Sequence, residues 1–113
     1  MRNLPARSFV VVGGLFGAVG VASAALASHG EDVRNLAAIS AICLSHGPAL
    51  LALGLAGRGR FLDVSAALLA FGTLVFVTDL LLRHALGHAA FPFAAPLGGG
   101  AMILGWCGLA LCG

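Results

Sequence analysis

Two ionisable side chains, His46 and Asp79, lie within apolar stretches of this sequence. Charged groups at the middle of a bilayer cost about 2.5 to 3.5 kcal/mol on insertion scales, so each ionisable residue there is a candidate functional group. A histidine in a spanning helix can ligate haem, relay a proton or contact a ligand. The alternative, which we favour for His46, is a neutral imidazole hydrogen-bonded to a neighbouring helix. We therefore predict no cofactor and treat His46 as the residue to examine for one.

Asp79 stands four residues before Arg83. This order and spacing bring a carboxylate and a guanidinium together on one helix face. An ion pair near the membrane boundary therefore explains this acid. The alternative is a site for a coupling ion or a substrate, which would make Asp79 a partner of His46 in transport.

A second group of histidines could act as metal ligands. His84 and His88 are four residues apart, and His29, Glu31 and Asp32 precede the second apolar stretch. On a continuing helix the first two would share one side and could join the others in a metal site. Gly87 and the Phe-Pro-Phe segment that follows indicate that the helix ends there, so we expect solvated histidines and no metal.

The three cysteines, Cys43, Cys107 and Cys112, all fall within apolar stretches rich in small residues. Such cysteines usually serve packing, and we assign them no ligand or disulfide role. The sequence contains no phosphate-binding loop, catalytic triad pattern or pair of acids. We therefore predict that the protein is not an enzyme.

The elements that carry these residues follow from composition. The chain has 113 residues, of which 60% are apolar and 9% charged. Soluble domains carry about 25% charged residues, so a soluble globular protein is excluded. A disordered chain and a nucleic-acid binder are excluded as well, because the first needs high charge and the second a basic face. An integral membrane protein remains.

Charged residues and turn formers divide the chain into four apolar spans, at about 7–28, 35–56, 61–82 and 96–113. Each approaches the roughly 20 residues that a spanning helix needs. The predicted fold is an all-α, antiparallel bundle of four transmembrane helices in a single membrane domain. The first span also resembles a secretory signal. We do not favour cleavage, because it would leave three helices.

Arginine positions predict the orientation. The N-terminal arm and the turn after span 2 hold four arginines, whereas the two loops on the other side hold only Arg34 and Arg83. Short cytoplasmic loops are enriched in basic residues, so both termini are expected in the cytoplasm. In a bacterial inner membrane, the loops that carry Arg34 and Arg83 would then face the periplasm.

Small residues recur at helical spacing and predict where helices approach closely. Helices in lipid associate through such residues, because lipid is as apolar as leucine. A compact bundle accounts for these residues, and a dimer through Gly13-xxx-Gly17 is the alternative. The predicted packing positions are Gly13, Gly17, Gly20, Ala24, Gly72, Gly98, Gly99 and Gly105.

Several segments together resemble a known family. They are Ala27-Ser28-His29-Gly30, Ser45-His46-Gly47-Pro48, Phe71-Gly72-Thr73-Leu74, and Pro96-Leu97-Gly98-Gly99-Gly100 followed by Gly105-Trp106. The chain resembles the small bacterial inner-membrane proteins of the domain of unknown function 423 family, which is similar to the eukaryotic transmembrane protein 256 group. The resemblance implies a four-span membrane protein without an assigned reaction. It departs from the family at Glu31, Ser45 and Thr73–Val75.

Three functions are compatible with these features. The one we favour is a non-catalytic association protein, such as an accessory subunit of a larger membrane complex. Its expected partners are membrane lipids and either another membrane protein or further copies of the chain. The alternatives are a small oligomeric transporter or channel component that uses His46 and Asp79, and a haem-binding electron-transfer protein.

Overall fold

The computed structural model describes residues 4–30, 33–57 and 59–112, and these form four α-helices. Their bounds are Leu4–Ala27 for α1, Arg34–Ala56 for α2, Arg60–Leu86 for α3 and Ala94–Cys112 for α4. Four residues to which the sequence analysis assigns a role lie outside the described residues: Arg2, Glu31, Asp32 and Arg58.

All four helices are long and apolar enough to cross a membrane. The described part of the chain contains no strand. The all-helical, multi-pass membrane fold predicted from composition is therefore confirmed. The placement of both termini in the cytoplasm stays a prediction.

Helix α3 is longer than predicted, because it continues past the polar residues Arg83 and His84 to Leu86. Gly87 ends it in the left-handed conformation, with φ of 80°. The N–H of Gly87 donates to the carbonyl oxygens of Leu82 and Arg83. Glycine adopts this conformation without the steric cost that a Cβ atom brings, so it is the common residue at this position.

Helices α1 and α2 form a tight antiparallel hairpin built on glycine. A Cβ atom on Gly13 would lie 2.7 Å from the carbonyl oxygen of Gly47, and one on Gly47 would lie 2.9 Å from that of Gly13. Further along, Gly20 faces Leu44, and Gly54 faces Val10. The two backbones therefore approach as closely as the absence of side chains permits, which maximises their van der Waals contact.

Helices α3 and α4 repeat this arrangement. A Cβ atom on Gly72 would lie 2.6 Å from the carbonyl oxygen of Gly98, and one on Gly98 would lie 2.8 Å from that of Gly72. Seven residues further along α4, Gly105 lies against Leu69 and the backbone of Ser65. Each hairpin thus contains one reciprocal contact between glycine backbones.

The two hairpins meet through α2 and α3. Larger side chains of these two helices are fully buried in the core of the bundle, among them Ile39 and Leu50 of α2 and Leu69 of α3. Within the described ranges, no Cα atom of α4 lies within 8 Å of one in α1 or α2. The bundle is therefore open, with α1 and α4 on opposite outer sides.

Two of the predicted packing positions lie away from the helix contacts. Ala24 is exposed and its neighbour Ser23 is buried, because the buried residues of α1 follow a spacing of three and four that passes through Phe16 and Ser23. This period of 3.5 residues is the one that antiparallel helices with a small crossing angle require. Gly99 has open space around its Cβ position, whereas Gly98 faces α3.

The proposed dimer through Gly13-xxx-Gly17 conflicts with this packing. Gly13 is buried against α2 of the same chain. Gly17 is half-buried, and its backbone lies 3.0 Å from the Cβ position of Gly47. Gly13 is therefore unavailable to a second copy, although the Cβ position of Gly17 has no other atom within 4 Å.

Candidate functional site

His46 is buried in the middle of α2 and is hydrogen-bonded at both ring nitrogens. Trp106 of α4 donates its indole N–H to Nε2 of His46, at 2.9 Å. On the other side of the ring, Nδ1 lies 2.9 Å from the carbonyl oxygen of Ile42 and 3.0 Å from Oγ of Ser45. The two rings meet edge to face, with centroids 5.5 Å apart.

The chemistry of these partners fixes the protonation of His46. An indole N–H can only donate, so Nε2 must carry a lone pair. The proton of a neutral imidazole then sits on Nδ1, from which it is donated to the carbonyl oxygen of Ile42. A haem iron or a migrating proton could reach either nitrogen only after one of these bonds had broken.

The contact between His46 and Trp106 also joins the two hairpins. Since the backbones of α2 and α4 do not approach each other, the long indole side chain spans the gap. Among the side-chain hydrogen bonds of the described residues, this one alone connects the first hairpin with the second.

Asp79 is fully buried in α3, and both of its carboxylate oxygens accept hydrogen bonds. Arg83 donates from Nε to Oδ2 at 2.7 Å, which is the ion pair predicted from their spacing. The backbone N–H of Ala90 donates to Oδ1 at 2.9 Å. Asp79 therefore binds the segment between α3 and α4 as well as its own helix.

The position of this segment explains why it needs an acceptor. Gly72 of α3 and Gly98 of α4 lie opposite each other. From Gly72, α3 continues for 14 residues to Leu86, whereas α4 begins only four residues before Gly98. At 1.5 Å per residue, the connection must descend about 15 Å along α3. Non-helical backbone at membrane depth is tolerated only where the protein satisfies its polar groups, and Asp79 does this for Ala90.

One buried polar group has no such partner. The hydroxyl of Thr73 in α3 is fully buried and makes no hydrogen bond with the described residues. It is one residue beyond Gly72, at the closest approach of α3 and α4. Thr73 therefore places a hydroxyl group in the core that has no hydrogen-bond partner among the described residues.

The remaining histidines do not assemble into a site. His29, His84 and His88 are all exposed, and Nδ1 of His88 lies 2.9 Å from the carbonyl oxygen of Ala89. His88 lies beyond the end of α3, so it does not share a helix face with His84. No group of three potential ligands among the described residues could hold a metal ion.

The cysteines are also separate. Cys43 is buried in the core, whereas Cys107 and Cys112 are exposed on α4. None of the three is in a disulfide. The burial of Cys43 fits the packing role predicted for the three cysteines. For Cys107 and Cys112 that prediction is wrong, because both lie on the exposed side of α4.

Comparison with known proteins assigns a family but no activity. Residues 14–99 match the model of the family described as Protein of unknown function (DUF423). The chain belongs to this family. The match includes His46 and Asp79 and ends before Trp106. No curated protein and no solved structure matches the chain.

Within this DUF423 chain, sequence reasoning missed three contacts: those of Trp106, Ala90 and Gly47. Trp106 is the one tryptophan of the sequence, and a buried indole N–H usually finds a partner, which was the available signal. For Gly47, the available signal was its spacing of seven residues from Gly54, which is also the spacing between Gly98 and Gly105. No sequence signal points to the N–H of Ala90.

Proposed function

We propose that this chain is a non-catalytic membrane protein that acts by association, as an accessory subunit of a larger membrane complex. The observation that supports this most directly is the engagement of both intramembrane ionisable groups. His46 and Asp79 use their hydrogen-bonding atoms within the chain. What the chain offers to its surroundings is an apolar surface, and association is the function that such a surface supports.

The proposal includes a location. The resemblance of the chain to small bacterial inner-membrane proteins supports that membrane as the location. The excess of arginine in the N-terminal arm and near the start of α3 supports an orientation with both termini in the cytoplasm. The opposite ends of the helices carry Arg34 and Arg83, and Arg83 is paired with Asp79.

Transport and electron transfer would each require His46 to change partners. A proton path or a haem ligand needs a free nitrogen, and release of Nε2 would leave the indole N–H of Trp106 without its acceptor. We therefore retain association as the single proposed function.

Photo-crosslinking in native membranes tests the proposal. A photoreactive amino acid is placed at Leu15 on the outer side of α1 or at Ile103 on the outer side of α4, both largely exposed. Leu50, fully buried between the hairpins, is the matched control position. We expect a defined polypeptide adduct from one outer position and none from the control, with the same polypeptide recovered stoichiometrically after mild-detergent purification.

Two results would contradict association. One is a lone chain in every mild detergent, with crosslinks only to lipid from both outer positions. The other is ion or solute flux in proteoliposomes that disappears in the His46→Ala variant but persists in Leu15→Ala. The second result would assign a transport function to the intramembrane histidine.

A further inference from the structure

An apolar groove runs along the outer face of α3 and α4. It has two sections, of about 580 Å³ and about 570 Å³, which share Leu68 and Leu104 as lining residues. The first section begins at Arg60 and Phe61, and the second reaches Phe71. We call the two sections together the lateral groove.

The lateral groove is long enough for an acyl chain. From Arg60 to Phe71, α3 advances 11 residues, which is about 16 Å at 1.5 Å per residue. The hydrocarbon core of a bilayer is about 30 Å thick, so half of it is about 15 Å. A single acyl chain that enters at Arg60 would therefore reach Phe71 near the middle of the membrane, and Pro96 and Leu97 of α4 continue the apolar lining beyond that point.

The two ends of the lateral groove differ in charge. Arg60 is exposed at one end and makes no ion pair with another described residue, not even with Asp63 three positions later. The rest of the lining is almost entirely apolar, with Ser65 as its other polar side chain. The groove thus has a cationic end at the membrane surface and an apolar remainder.

The surroundings of Arg60 add to its positive potential. Helix α3 begins at Arg60 without a side-chain cap, so the first backbone N–H groups of the helix remain available to an anion. Arg7 lies at the same end of the molecule, because Ala6 packs beside Gly54 near the end of α2. These groups outnumber the single described acid there, Asp63.

We propose that the lateral groove binds one anionic phospholipid, with an acyl chain along the groove and the phosphate at Arg60. Cationic groups near the surface at one end, an apolar channel at least one leaflet long and a helix start with free N–H groups match this molecule in both shape and charge. The apolar lining alone would also suit a transmembrane helix of a partner. The cation at Arg60, which has no ion pair with a described residue, favours the phospholipid, because an anionic headgroup supplies the opposite charge.

Native mass spectrometry of reconstituted protein tests the headgroup. The full chain is placed in vesicles of equal parts phosphatidylglycerol and phosphatidylcholine with identical acyl chains, extracted in mild detergent, and its retained phospholipids are counted. We expect one phosphatidylglycerol per chain. In Arg60→Gln the preference for this lipid should fall about five-fold, the equivalent of about 1 kcal/mol per basic residue. Arg34→Gln, at the other end of the molecule, should retain it.

A pair of adjacent glycines tests the acyl chain site. Gly100 lines the groove and Gly99 does not, and the Cβ position of each has no other atom within 4 Å. Gly100→Leu should fill the groove and abolish retention of either phospholipid, whereas Gly99→Leu should leave retention unchanged. Both variants gain the same helix propensity, so their thermal unfolding in detergent checks that the fold is intact.

Three outcomes would overturn the proposal. Arg60→Gln with an unchanged lipid preference would remove the role of the cation. Equal retention in Gly100→Leu and Gly99→Leu would place the lipid elsewhere. If a bound polypeptide is lost from the Gly100→Leu variant but not from Gly99→Leu, the groove is a protein interface. The first two outcomes leave the proposed association function untouched, because a partner can bind through α1.

Discussion

Gly98 and Gly99 are adjacent on α4 and should respond to the same substitution with opposite sign. A Cβ atom at Gly98 would lie 2.8 Å from the carbonyl oxygen of Gly72 and 2.8 Å from the backbone nitrogen of Phe76. At Gly99, no atom lies within 4 Å of the Cβ position. We predict that Gly98→Ala destabilises the protein and that Gly99→Ala stabilises it.

The size of the difference follows from two contributions. Alanine in place of glycine within a helix contributes about 0.5 to 1 kcal/mol of stability, and this applies to both positions. At Gly98 the two opposing atoms belong to the backbone of α3, so the helices must separate by several tenths of an ångström. Such overpacking costs about 1 to 3 kcal/mol. Gly98→Ala should therefore be less stable than Gly99→Ala by about 1 to 3 kcal/mol.

Reversible unfolding in mixed detergent micelles measures this difference, with the fraction folded followed by far-ultraviolet circular dichroism and by the fluorescence of Trp106. Trp106 reports on the contact between the hairpins, because its indole is bonded to His46 across them. Equal stability of Gly98→Ala and Gly99→Ala would show that α3 and α4 do not meet at Gly98, and would refute the close glycine contact.

Two further predictions concern the buried polar groups. A double-mutant cycle with Trp106→Phe and His46→Leu should give a coupling free energy between about 0.6 kcal/mol, the average measured for hydrogen bonds between membrane helices, and about 1.7 kcal/mol, the largest value, and additive effects would exclude the bond. Asp79→Ala should speed hydrogen exchange at the N–H of Ala90 and lower stability by about 1 to 3 kcal/mol, since a buried donor loses its acceptor. Asp63→Ala is the matched control, and equal exchange in both variants would contradict the role of Asp79.

The features that the sequence predicts correctly are those with a local cause. Hydropathy and the position of charged residues define four spans, because the length of a spanning helix is set by the bilayer. The ion pair of Asp79 and Arg83 follows from a spacing of four on one helix. The reciprocal approach of Gly72 and Gly98 follows less directly, since small residues mark a contact but do not name the partner helix.

The features that the sequence does not predict depend on how helices rotate and slide relative to each other. Trp106 and His46 are 60 positions apart, and their bond depends on how α2 and α4 are rotated about their axes, because the backbones of these two helices do not approach each other. The bond from Ala90 to Asp79 depends on how far α4 is displaced along α3. The rotation of α1 about its axis likewise decides that Ser23 is buried and that Ala24, the next residue, is exposed.

The distribution of glycine and polar contacts implies that the two hairpins differ from the interface between them. Within each hairpin, backbones touch at glycine pairs such as Gly13 with Gly47, and any separation would lose many contacts at once. Between the hairpins, α2 and α3 both contribute larger side chains, such as Ile39 and Leu69, to one core cluster, and the described side-chain hydrogen bonds include one link, from Trp106 to His46. Interlocked backbones have fewer alternative arrangements than side chains, which can change rotamer. A rearrangement of the bundle on binding a partner would therefore move the hairpins as rigid units and break the bond between His46 and Trp106.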